Sequence, residues 1–178
     1  MNKEACGPYL GKYRGTVVNN LDPDQRARLT LMVPDVLGSV PSSWAEPSLP
    51  LAGPTGPPMG MFVVPPIGTG VWVEFESGDP NKPVWVGCRL GAQSDVPLAG
   101  KAGIPAAPNI VIQSLTQNRI IISSVPGEGV TIETAAGPLG PRIELTATGL
   151  KLSYGPQTSI ELTPLGVNIN KNALVVTP

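Results

Sequence analysis

Arg142–Leu152 reads RIELTATGLKL, and seventeen residues further on Ser159–Ile169 reads SIELTPLGVNI. Both stretches carry Ile-Glu-Leu-Thr, a glycine three residues after the threonine, and a second apolar alternation beyond that glycine. Alternation with a period of two over so short a run marks a strand with one apolar face, and the glycine marks a tight reversal between two such strands. Ile143, Leu145, Leu150 and Leu152 in the first copy, and Ile160, Leu162, Val167 and Ile169 in the second, then fall on one side. Glu144, Thr146, Lys151, Glu161, Thr163 and Asn168 fall on the other. No reactive constellation accompanies the repeat.

The pattern extends outward in both directions, through NIVIQS, RIIISS and GVTIET before it and ALVVT after it, with Gly129, Gly149 and Gly166 in equivalent places. Eight short strands spaced at about 4.8 Å form a ribbon on the order of 40 Å long with one aliphatic and one polar face. Residues 109–178 contain a single aromatic residue, Tyr154, and cannot enclose that aliphatic face by themselves. A repeat of this kind buries its face against neighbours. Three ribbons around a common axis give a β-prism or β-helix, and two give a flat sandwich; the residues alone leave both open. Val111 and Ile121 stand on the polar side, either as plain exposed aliphatics or because the first rung packs against the preceding domain.

The other half of the chain has a different composition. Seven of the eight aromatic residues lie before position 86, so a packed core belongs there. With 22 prolines and 21 glycines in the chain, helix signals are nearly absent. Strands are expected at Leu10–Asn19, Ala27–Val33, Met61–Val64, Gly70–Glu76 and Val84–Leu90, which suits a small barrel or sandwich. NLDPDQ (20–25) and ESGDPNKP (76–83) read as turns. Pro34–Gly60, dense in proline, reads as an irregular covering segment anchored by Trp44. Residues 93–108 lack periodicity and read as a linker, which divides the chain into 1–92, 93–108 and 109–178.

Composition narrows the function. A net charge of −1 without a basic run argues against nucleic acid as a partner. The chain has no histidine, so the usual general base near neutral pH and the commonest transition-metal ligand are missing. Cys6 and Cys88 follow no metal-ligand spacing and read as free thiols of a reducing compartment. MNKEACGPYL lacks the apolar core of a signal peptide, and the most apolar run, GMFVVPPIG, is too short to span a bilayer, which leads to an expectation of assembly in the cytoplasm. Glu144 and Glu161, at equivalent repeat positions, read as a solvated outer face offset by Lys151 and Lys171. Glu74, Glu76 and Asp79 lack the ligand spacing of a calcium loop. Trp72, Phe75 and Trp85, alternating with valines, read as barrel core, although they could serve as stacking platforms for a single strand. No enzyme, cofactor or metal is expected.

RGTVV (14–18), Asp22-Pro23 with Arg28-Leu29-Thr30-Leu31, Trp44-Ala45, and above all PPIGTGVWVEFESGDPNKPVWVG (65–87) resemble the OB-fold domain of contractile-tail baseplate spike proteins. That group takes in phage baseplate assembly protein V, the type VI secretion spike and the spikes of extracellular contractile injection systems. The resemblance spans roughly residues 9 to 91. It implies an all-β chain: an N-terminal OB-fold barrel followed by a C-terminal trimeric β-helix or β-prism needle. It implies a homotrimer linking a baseplate hub and tube to a tip and piercing the target envelope, as part of a phage virion or an injection particle, with transient contact to the target membrane. The eight aliphatic residues of the two repeats would then form the trimer core. A chain without histidine cannot hold the iron that some relatives bind at the tip, so the tip would be either metal-free or capped by a separate PAAR-type tip protein, to which Leu174, Val175 and Val176 would offer an apolar platform. Met1–Pro8 and Pro34–Gly60 are the expected hub contacts. Ala27 departs from the family, which often has glycine there. The competing reading is an OB-fold protein that binds single-stranded nucleic acid or polysaccharide on a trimeric β-stalk.

Overall fold

The structure, a computed structural model, describes residues 8–53, 57–171 and 173–177. It divides into two units, Met1–Gly91 and Ala92–Pro178.

The first unit is a small closed barrel. Its strands are β1 (Tyr13–Asn19), β2 (Thr30–Met32), β3 (Glu46–Pro47), β4 (Ala52–Gly53), β5 (Met59–Gly60), β6 (Gly70–Phe75) and β7 (Pro83–Cys88). The main sheet runs β2-β1-β6-β7-β3, antiparallel except for the parallel pair β3–β7. Reciprocal backbone bonds between Leu29 and Ala45, 3.1 and 2.7 Å, join the two ends of that sheet and close it. Alternation then sends Val17, Leu29, Leu31, Val71, Val73, Phe75 and Trp85 inward. Gly15 also faces inward, and a Cβ there would meet the Val73 side chain at 2.7 Å, so β1 crosses the core closely only because that position is bare. Tyr9, Tyr13 and Phe75 stack at centroid distances of 5.6 to 6.0 Å and close one end.

Two expectations about this half need correction. Met61–Val64 forms no strand; the pairing lies earlier, between Ala52–Gly53 and Met59–Gly60, and Met61, Phe62 and Val63 are exposed. Prolines 65 and 66 follow directly and lack the amide donors a ladder requires. The Pro34–Gly60 segment is more than a cover: it contributes helix α1 (Pro34–Leu37), the edge strand β3 and the β4–β5 pair. Its anchor is Ala45, fully buried, while the half-buried Trp44 lies against the Arg28 guanidinium at 5.6 Å.

The second unit is an eight-stranded antiparallel meander: β8 (Ile110–Gln113), β9 (Arg119–Ile122), β10 (Val130–Glu133), β11 (Pro141–Thr146), β12 (Gly149–Tyr154), β13 (Thr158–Thr163), β14 (Gly166–Ile169) and β15 (Leu174–Val176). Each strand pairs with its sequence neighbours, so the six inner strands are paired on both sides within one chain and β8 and β15 form the edges.

The segment expected to be a linker belongs to this unit and is ordered. It carries a 3-10 turn at Gln93–Asp95 and helix α2 (Leu98–Lys101), with Lys101 Nζ bonded to the Gln93 carbonyl at 2.5 Å and Asn109 Nδ2 to the Ala99 carbonyl at 3.0 Å. Side chains that cap backbone groups locally replaced the periodicity that the sequence lacked. Val111, which broke the one-sided rule, is half-buried, and helix α2 of this segment packs beside β8. The chain's own residues thus shield Val111 alone in the first rung, while Ile110 and Ile112 on the other face stay exposed.

Candidate functional site

The register of the meander turns the sequence alternation into two straight columns. One holds Ile110, Ile122, Val130, Leu145, Leu150, Leu162, Val167 and Val176, each directly opposite the next. The other holds Ile112, Ile120, Ile132, Ile143, Leu152, Ile160, Ile169 and Leu174. All eight residues expected as core in the two repeats sit in these columns. Among the described residues nothing covers the two columns: Leu145 is 54% exposed, Leu162 43% and Ile143 40%. By contrast, the polar face hides its carboxylate Glu133, which is only 6% exposed. The most water-averse surface of this unit is thus the one left in water, which signals an interface.

The turns explain the repeated Thr-x-x-Gly. Thr146 Oγ1 donates to the Gly149 carbonyl at 3.3 Å and accepts from the Thr148 amide at 3.2 Å. Thr163 does the same with Gly166 and Leu165, at 3.2 and 3.3 Å. Gly149 and Gly166 adopt φ of +153° and +135°, and a Cβ on either would run into the carbonyl oxygen of the strand beyond, Leu162 and Val176 respectively. Gly129 meets the Leu145 carbonyl in the same way.

The opposite face carries an ion-pair ladder. Arg119 reaches Glu133 at 2.6 Å, Arg142 lies 3.4 Å from the other Glu133 oxygen and 3.1 Å from Glu144, and Lys151 pairs with Glu161 at 2.8 Å. Lys171 bonds to Gln157 and offsets no carboxylate. Sequence reasoning missed the Arg119–Glu133–Arg142 group. The available signal was position: each flanks an aliphatic pair at the same strand offset, so the register lines them up.

Comparison with family models places both halves. Residues 13–89 match the type VI secretion system and phage-baseplate injector OB domain, and residues 109–175 match the phage baseplate V C-terminal trimerisation domain. The chain belongs to the phage baseplate V family of spike proteins. Comparison with individual curated proteins gives no match. The trimerisation-domain match coincides with the eight-stranded meander and supports a homotrimer, and membership of the family makes the chain a component of a phage or injection-particle baseplate.

The remaining expected site residues of this spike are placed as follows. Leu174 and Val176 continue the two aliphatic columns, whereas Val175 pairs with Asn168 on the other face, so the three do not form one surface within a chain. Met1–Gly7, including Cys6, lie outside the described residues; Cys88 is an exposed free thiol whose pKa burial pushes up. Phe75 and Trp85 are core, with Trp85 Nε1 donating to the Ala27 carbonyl at 2.9 Å, and only Trp72 reaches the outer face of the sheet. Those three aromatics therefore make no common stacking platform. Glu74 is taken by Lys12 at 2.7 Å and Asp79 by Asn81 in the hairpin turn. Ala27 adopts φ +62°, the left-handed region in which glycine is unstrained, which accounts for the family's frequent glycine there.

Proposed function

We propose that three copies bring their aliphatic columns together about a threefold axis to form the central needle of a contractile-tail or injection-system baseplate. The observation that carries this reading is the continuous, uncovered aliphatic face, two side chains on each of eight strands, within a matched trimerisation domain. Removing the exposed half of each such side chain from water is worth about 1 kcal/mol. Summed along the face this gives on the order of 10 kcal/mol per chain, comparable with the whole stability of a domain. Since the six inner strands of each sheet are already paired on both sides, the sheets pack side by side as the walls of a prism and exchange no strands.

In this reading the OB unit connects the needle to a separate hub protein. The C-terminal rung, where Leu174 and Val176 of three chains converge, receives a separate tip protein. The spike is assembled in the producing cell, performs no catalysis, and pierces the target envelope under force supplied by the contracting sheath.

Sedimentation of the full chain tests the assembly directly. The wild type should sediment as a trimer at micromolar concentration, and a monomer would overturn the proposal. Ile160→Asp places three carboxylates in one dry layer and should abolish the trimer, whereas Glu161→Gln, one residue away on the outer face, should leave it intact.

A further inference from the structure

The meander has two lateral edges, and they differ. One is formed by the turns at 147–148 and 164–165, the other by the turns at 134–140 and 155–157. At the second edge stands Tyr154, the one aromatic residue of this unit. Alternation along β12 puts it on the aliphatic face beside Leu152, opposite Pro141 on one neighbouring strand and Thr158 on the other. Tyr154 is 65% exposed, and Leu139 at the same edge is exposed as well. The backbone beneath them is held, since the Gly155 amide donates to the Gly140 carbonyl at 3.4 Å. Where the second edge has this knob, the first has a hole. A recess of about 260 Å³ opens around bare Gly149, lined by Thr146, Thr148, Leu150 and Leu162 and by Glu144 and Glu161. Leu165, in the next turn along the same edge, is exposed.

We infer that the Tyr154 side chain of each chain seats in the Gly149 recess of the next chain, so that three identical contacts lock the corners of the needle. Cyclic symmetry selects that occupant. A threefold ring joins unlike surfaces, so the edge that carries Tyr154 meets the Gly149 edge of its neighbour. Rotation about the axis leaves height along the axis unchanged. Gly149 and Tyr154 are the two ends of one strand, β12, which lies across the needle, so knob and recess arrive at the same level. The recess is lined from β11, β12 and β13, about 10 Å of needle length, which accommodates a tilt of the strands. Both edges are continuous with the aliphatic columns, and the recess shares Leu150 and Leu162 with them. The chemistry agrees with the shape. Tyrosine brings a large ring at the entropic cost of two side-chain torsions, and its phenol O–H donates to a carboxylate, which Glu144 and Glu161 supply. The inference rests on the trimer proposed above and names the residues that set one chain against the next.

Sedimentation of the full wild-type chain comes first, and a monomer would remove the trimer and this contact together. In a sedimenting trimer, nitration of Tyr154 by tetranitromethane, read by peptide mass, should be at least about tenfold slower than in the Ile160→Asp chain, as for a group reached only by local opening. Tyr9 and Tyr13 of the barrel serve as the internal reference. Equal rates would overturn the corner contact and leave the trimer standing. The occupant is read from the full chain carrying Cys6→Ser, Cys88→Ser, Thr148→Cys and Tyr154→Cys. A bifunctional maleimide too short to bridge these two positions within a chain, about 20 Å apart, should link them into products of two and three chain masses, whereas either new thiol alone should give none. A trimer that yields no such product, or one that links through a single new thiol, would also overturn the inference. The nitration arm needs no substitution in the trimer, so it decides the question even where the double-thiol chain fails to assemble.

Discussion

At the scale of single residues, two positions carry more than their chemistry suggests. Gly149 allows the returning strand to pass beneath the Leu162 carbonyl. Gly149→Ala drives a methyl into that oxygen, and the hairpin should open or shift at a cost of about 2–3 kcal/mol per chain. Because three chains share the layer, the loss should appear as a lower thermal midpoint for the trimer and an unchanged transition for the barrel. Asp22 is the second. Its carboxylate accepts the amides of Asp24, Arg26 and Arg28 at 2.8–3.2 Å and the Arg28 guanidinium at 2.6 Å, and these donors hold its pKa far below the usual carboxylate range. A depressed folded pKa stabilises above the unfolded value and is lost as pH falls below about 4. Barrel stability measured against pH should therefore drop on the acid side of that point, and Asp22→Asn should be less stable at neutral pH and lack that drop. Asp22-Pro23 was legible as a turn, but not as an anion hub, because the arginine that completes it stands six residues away across the loop.

At the scale of elements, the seventeen-residue spacing is a structural unit. Ile143 and Ile160 occupy one column and Leu145 and Leu162 the other, on strands of the same direction. Deleting Ile143–Ser159 joins Arg142 to Ile160 and preserves the IELT face, the Thr-x-x-Gly turn and the Arg142–Glu133 pair. The product should remain a trimer whose needle is shorter by two strands, about 10 Å, as read by electron microscopy; loss of the trimer would show that the hairpins are not interchangeable. Alternation made every needle strand readable, because one-sided burial fixes a period of two that a short sequence window reveals. β3 was not readable. It is two residues long, Glu46–Pro47, and is held by a parallel partner almost forty positions later, so no local pattern announces it. The ordered 93–108 segment escaped notice for the related reason that caps and turns hold it without periodic burial.

At the scale of the whole molecule, what the sequence made plain was an imbalance: aromatics in one half, and in the other an aliphatic stripe with no lid. That imbalance already implied partners, since a single sheet cannot hide one face from water. The apolar surface around Phe62 was hidden from the same reasoning, because the sequence suggested a strand there and a strand's residues are assumed to be paired and half-buried. The strict nearest-neighbour order of the meander has a mechanical corollary. Its strands lie across the needle, so the hydrogen bonds run along its length, and a thrust from behind presses each rung onto the next. A pull on the tip, however, loads only the last ladder, then the one before it. The needle is thus a strut and a poor rope: single-molecule pulling on the C-terminal end should peel it strand by strand at low force. On the piercing role proposed above, a spike of this build would suit one outward stroke and not a withdrawal.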